Sequence, residues 1–189
     1  MKSFYLIPGL VLFIFLSNSG CKKKTAPLGI PHGTSANLIK NSSFEENGNP
    51  SLSYWYVQED DSISFSNDTP PGGGNWSICL PAEWFGPLPD SPAYFVPLPP
   101  GKHILELSFY GKFYIINGVA MFILKTDQTR DVTAAQIVTD TVWTKYTLRD
   151  TLVINEGDSL SVVISGGGTE NVGGFTCFDR VELFEQRDN

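Results

Sequence analysis

After Asn37 no stretch of this sequence sustains a 3.6-residue hydrophobic period; short runs of alternating polarity recur instead between turn signals. The expected strands are Tyr54–Val57, Ser62–Ser66, Trp76–Leu80, Ala93–Pro97, Lys102–Phe113, Val119–Thr126, Trp143–Ile154, Ser159–Ser165 and Phe175–Glu185. Between them lie clusters that only turns use: 67–74 (NDTPPGGG), 99–101 (PPG), 117–118 (NG), 155–157 (NEG) and 166–168 (GGG). Residues 133–138 (TAAQIV) fit no alternation and read as an irregular connection. Eighteen glycines, 13 prolines and 13% aromatic residues fit loop-rich β structure better than helices. An all-β fold follows, two antiparallel sheets packed face to face in a single domain over residues 37–189.

Two strands show their faces openly. Leu105, Leu107 and Phe109 alternate with Glu106, Ser108 and Tyr110, and Leu160, Val162 and Ile164 alternate with serines. A one-residue slip would put either apolar set in water, so these sets face the core.

The amino terminus reads as an export signal over residues 1–20. Lys2 precedes an apolar run of 13 residues, Phe4 to Leu16, too short to span a bilayer comfortably. Small and polar residues then abut Cys21, an arrangement that resembles a bacterial lipobox, although Asn18 departs from the usual small or apolar residue at its position. The resemblance implies that Cys21 carries acyl chains and becomes the first residue of a lipid-anchored envelope protein, periplasmic or on the cell surface. Residues 21–36 are a flexible spacer. Without residues 1–20, which contain one Lys and no acid, the charge goes from −7 to −8. With no basic stripe, such a surface argues against nucleic acid as a partner.

Of the remaining cysteines, Cys79 follows Trp76 and Ile78 with a parity that turns it away from the apolar side. Cys177 shares its parity with Phe175 and Val181. Opposite faces cannot be bridged, so two separate thiols are expected, with a disulfide in the oxidising compartment as the alternative. The same parity set, Phe175, Cys177, Asp179, Val181 and Leu183, carries a carboxylate onto a mostly apolar face. A carboxylate buried there must be neutralised, hydrogen-bonded or bound to a cation.

The stretch 37–55 (NLIKNSSFEENGNPSLSYW), the segment 99–112 (PPGKHILELSFYGK), the run 143–148 (WTKYTL) and the closing run 178–183 (FDRVEL) occur in the order found in galactose-binding-domain-like sandwiches. The chain resembles the cellulase-C type carbohydrate-binding modules of that group over residues 37–186. The resemblance implies a jelly-roll sandwich and a carbohydrate ligand. It also implies a structural Ca2+ held by Glu45, which follows the first-strand Phe44, and by Asp179 of the closing strand. The alternative leaves Asp179 to backbone amides, Arg180 or Lys40, with Glu45 in solvent.

Residues 82–92 (AEWFGPLPDSP) place Trp84 and Phe85 among prolines. Sugars stack their apolar faces on aromatic rings while carboxylates take the hydroxyls, so Trp84, Tyr94, Tyr110 and Glu106 form the candidate platform. The alternative folds Trp84 back as a lid on the core; Trp55, Trp76 and Trp143 are expected inside it. Catalysis has no constellation here. His32 lies in the spacer, His103 opens a strand, and no Cys or His cluster has zinc spacing. A non-enzymatic glycan-binding lipoprotein is the expectation, and one that docks another envelope protein the alternative.

Overall fold

The computed structural model describes residues 36–57, 63–81, 91–167 and 173–186. The strands are β1 (Glu45–Glu46), β2 (Asn49–Pro50), β3 (Ser64–Ser66), β4 (Ser77–Pro81), β5 (Ala93–Val96), β6 (Gly101–Tyr114), β7 (Val119–Lys125), β8 (Arg130–Ile137), β9 (Thr144–Ile154), β10 (Ser159–Ser165) and β11 (Phe175–Gln186). They form a five-stranded sheet of order β3-β4-β11-β6-β9, a four-stranded sheet of order β5-β10-β7-β8, and the small hairpin β1-β2. Every pairing is antiparallel. From β4 onward the chain passes between the two large sheets at every step except the β7–β8 pair, the expected jelly-roll sandwich. The hairpin turns at Asn47 and Gly48, both at positive φ, the Asn-Gly chemistry of a tight two-residue turn.

The alternating sets behave as read. Leu105, Leu107 and Phe109 are fully buried, as are Leu160, Val162 and Ile164. They meet Phe44, Trp55, Phe122 and Phe178 in one core. Phe44 anchors the amino-terminal stretch against Trp55 at 5.0 Å between ring centroids. Asn41 holds the two together: its side-chain amide donates to the carbonyls of Ser51 and Ser53, and its own carbonyl accepts from Trp55 Nε1. Leu38 N–H donates to Leu183 O, and Leu183 N–H to Asn37 Oδ1, which sets this stretch along β11.

Four expectations are corrected. Residues 54–57 make one isolated bridge, Tyr56 to Ala93, and no strand, because Tyr54 sits at φ 74°. Residues 133–137 belong to β8; the register slips between Phe122 and Ile123, so Thr133 is an extra residue that scrambles the alternation. Trp76 and Trp143 are only half-buried and lie outside the core; their indole N–H groups donate to Gly48 O and Asp68 Oδ1.

The fourth correction concerns β11. Its register against β6 shifts between Asp179 and Glu182, with Arg180 at φ 49°. This bulge reverses the parity of the strand. Before it, Cys177 and Asp179 lie opposite Lys112 and Tyr110 on the outer face, while Phe178 is in the core. After it, Val181 and Leu183 point inward. Cys177 therefore shares the outer face with Cys79, its direct partner on β4, and the two form a disulfide with Cα atoms 4.0 Å apart. The expectation of two thiols failed because it carried one parity through the bulge.

Candidate functional site

The bulge builds a carboxylate pocket. Arg180 N–H, freed from the ladder, donates to Asp179 Oδ1 at 2.7 Å, and Val181 N–H goes to Ser42 O. Asp179 is completely buried, on the outer face rather than in the core, and its Oδ2 has no donor. What covers it is the Pro-Pro-Gly-Gly-Gly turn, residues 70–74. A Cβ at Gly73 would collide with Asp179 Oδ2, and one at Gly74, which also sits at φ 83°, with Glu45 Oε1. Only glycine lets the backbone approach both carboxylates this closely. Glu45 Oε2 accepts from Asn75 N–H at 2.9 Å, tying β1 to the same turn.

Burial pushes the Asp179 carboxyl up to about 8; the Arg180 N–H draws it down, and the Glu45 and Glu182 charges push it further up. The Arg180 guanidinium does not reach the orphan oxygen but lies over the Tyr110 ring and binds Glu182. Lys40, the other cation named as a partner, lies over the Tyr54 ring. Glu45 and Asp179 are thus brought together beneath one turn, and one Asp179 oxygen is left unsatisfied. Among the described residues no group of three or more His, Cys, Asp and Glu gathers to hold a metal. Further ligands would be backbone oxygens or water. An all-oxygen set of this kind fits a hard cation such as Ca2+, which the residues present can accommodate.

The described members of the expected ligand platform do not come together. Tyr94 is corrected to a core residue: it is 6% exposed, packs on Trp55, and its hydroxyl donates to Leu38 O and accepts from Lys40 N–H. Glu106 and Tyr110 share the outer face of β6, but Arg149 binds Glu106 at 2.7 Å and Arg180 occupies one face of the Tyr110 ring. Trp84 and Cys21 lie outside the described residues.

Other aromatics stand in the open. Tyr56, 54% exposed, and Phe95, 59% exposed, form an edge-to-face pair 6.1 Å apart on the outside of the four-stranded sheet. Phe95 faces Ser161 across β5 and β10, beside Ala93, Val163, Met121 and Ile123. The signal was present in the sequence. Tyr94 and Phe95 are adjacent in a strand, so one of them must face out, and Val96 sharing Phe95's neighbour's parity assigns Tyr94 to the core.

No family model and no curated protein matches this sequence. Solved structures share its fold. The CBM61 module TmCBM61, in complex with β-1,4-galactotriose, superposes with a TM-score of 0.51 at 19% identity, covering 80% of this chain and 100% of that one. The CBM22-1 xylan-binding domain of Paenibacillus barcinonensis Xyn10C gives 0.54 at 15% identity, over 82% and 99%. A CBM4 structure gives 0.52 at 18%, over 78% and 99%. The sandwich is the fold of carbohydrate-binding modules.

Proposed function

We propose that this chain is a non-catalytic, glycan-binding lipoprotein domain whose stacking platform is Tyr56 and Phe95. The observation that carries the reading is the pair itself, two large aromatic rings held in water on the outside of a sheet. The fold it shares with carbohydrate-binding modules supports the same reading. The outer side chains of the described sheet near the pair, Ala93, Ser161, Val163, Met121 and Ile123, are uncharged and buried, so the surface on offer is the two rings themselves. A pyranose laid on Tyr56 and Phe95 finds apolar surface for its C–H face and no charged group on the sheet beneath to desolvate. Ca2+ at Glu45 and Asp179 would neutralise the buried carboxylate and hold the turn 70–74 against β11. Acyl chains on Cys21 would tether the domain to a membrane.

The test is a titration of β-1,4-galactan and xylan oligosaccharides beside a thermal melt. Stacking on one ring contributes on the order of 1–2 kcal/mol, roughly 5–30-fold in affinity. Tyr56→Ala with Phe95→Ala should weaken binding at least that much. Both side chains are more than half exposed, so Tm should move little. Affinity equal to wild type in the double variant rejects the platform.

A further inference from the structure

We infer a second glycan-contact surface at the rim of the five-stranded sheet, formed by Tyr114, Ile115 and Phe175. The inference rests on the glycan reading above and adds an independent site to it. Tyr114 and Phe175 are direct partners on β6 and β11. Their rings stack at 5.4 Å and 25°, with 60% and 40% of the two residues exposed. Paired apolar rings in water are the pattern of a surface that waits for an apolar face.

Ile115 continues the surface and makes the stronger argument. It stands at φ 76°, a backbone posture that a β-branched residue resists and that glycine holds freely. The reversal marked by the Tyr114–Ile116 bridge sets that posture, but Ile115 is 55% exposed, so neither the turn nor the core calls for an isoleucine at its apex. Strain carried by an exposed apolar side chain beside two exposed rings points to use of that side chain. The fold clamps it in place. The buried Thr176 hydroxyl lies 3.0 Å from Ile116 O and 3.3 Å from Gly166 O. Gly174 packs so tightly beneath the turn that a Cβ there would sit 2.8 Å from Tyr114 O and 3.1 Å from Ile115 Cβ. The ledge is therefore rigid before any ligand arrives, which reduces the entropy lost on binding.

Polar groups for sugar hydroxyls lie alongside. Two residues down the same face of β6, Lys112 pairs with Asp68 and lies 4.9 Å over the Trp143 ring. The Asp68 carboxylate, which accepts from Lys112 Nζ and Trp143 Nε1, is still 62% exposed, so a hydroxyl can reach its remaining lone pairs. Because Lys112 is already paired, the ledge suits a neutral pyranose chain rather than an acidic one. It lies on the outer face of the opposite sheet from Tyr56 and Phe95, so the two surfaces would take separate stretches of glycan. Two such contacts on one polymer multiply apparent affinity through effective concentration.

Isothermal titration of the detergent-solubilised full chain with β-1,4-galactotriose and xylohexaose, beside binding to insoluble xylan, tests this. With a sugar that both surfaces accept, wild type should take up two equivalents. Tyr114→Ala with Phe175→Ala should take up one, and bind insoluble xylan roughly 5–30-fold more weakly. Ile115→Gly should weaken the same site while Tm stays level or rises, because the strained backbone relaxes. A lower Tm in Ile115→Gly makes that side chain structural and overturns the inference. So does wild-type stoichiometry and affinity in the Tyr114→Ala, Phe175→Ala variant, or complete loss of binding from the Tyr56 and Phe95 substitutions alone. A wild type that binds neither sugar nor xylan overturns the glycan reading itself, and the ledge with it.

Discussion

Asp179→Asn should raise the stability of the protein in chelator at neutral pH, because it replaces a buried carboxyl that resists ionisation with a neutral group of the same shape. The Asp179 carboxyl moves from an ordinary 3.8 in the unfolded chain to about 8 in the fold. Between those values the native state binds the proton more tightly than the unfolded state. Stability is therefore full below about pH 4 and drains away as pH rises towards 8. Each pH unit within that window is worth about 1.4 kcal/mol, so going from pH 5 to pH 7 should remove on the order of 2–3 kcal/mol. Asn keeps the shape and one acceptor oxygen without the charge, and should flatten that slope. Calcium bound only by the native state at a hundredfold excess over Kd would restore about 2.7 kcal/mol, an amount of the same size. Urea unfolding of wild type and Asp179→Asn, both stripped of calcium, at pH 5 and pH 7 measures the difference. Taking the difference cancels titrations common to both proteins, though Glu45, Glu182 and Arg180 feel the Asp179 charge directly. Equal slopes in the two proteins, or a wild type that gains stability relative to the variant on going to pH 7, would refute the reasoning. Added calcium should raise the Tm of wild type at pH 7 and leave that of Asp179→Asn unmoved.

The Cys79–Cys177 bridge joins residues 98 apart in sequence. Chain entropy alone makes such a closure worth about 4–5 kcal/mol, so Cys79→Ala with Cys177→Ala should lower the urea midpoint by the corresponding amount; a change below about 1 kcal/mol rejects the estimate. Cys21→Ser should move the protein to the soluble fraction or leave an unprocessed precursor. Labelled palmitate still incorporated into that variant would rule out Cys21 as the acceptor.

The sandwich was legible because Leu105, Leu107 and Phe109 of β6 alternate with polar or aromatic outer residues, and Leu160, Val162 and Ile164 of β10 share one inward face; a period of two survives in the sequence wherever one face is apolar. The carboxylate pocket was legible in its residues and not in its geometry. Glu45 and Asp179 were named, yet Asp179 was placed on the core face. The bulge that moves it is centred on Arg180, at a φ where glycine or asparagine would have given notice. The same hidden residue misplaced Cys177 and so the disulfide. β8 escaped notice for a kindred reason, since the extra Thr133 breaks the alternation of a strand exposed on the sheet edge. The exposed aromatic surfaces were least legible. Parity shows that Tyr94 and Phe95 face opposite ways, and Tyr94 was placed on the wrong one of them. Ile115 gives no sign in sequence of the posture it adopts.

The position of β11 has a consequence for how the molecule comes into being. The last strand of the chain is not an edge; it inserts between β4 and β6. In a chain that emerges amino end first, β4 and β6 lack their native partner on that side until residues 175–186 arrive. During that interval Ile78, Leu80, Leu105 and Leu107 border a slot one strand wide, and Cys79 is a thiol whose native partner does not yet exist. An open slot of this kind accepts any extended segment, from the same chain or another. A chain stopped at residue 174 would keep its slot open permanently, without bridge or carboxylate pocket, and would be a substrate for quality-control proteases rather than a shortened binding domain.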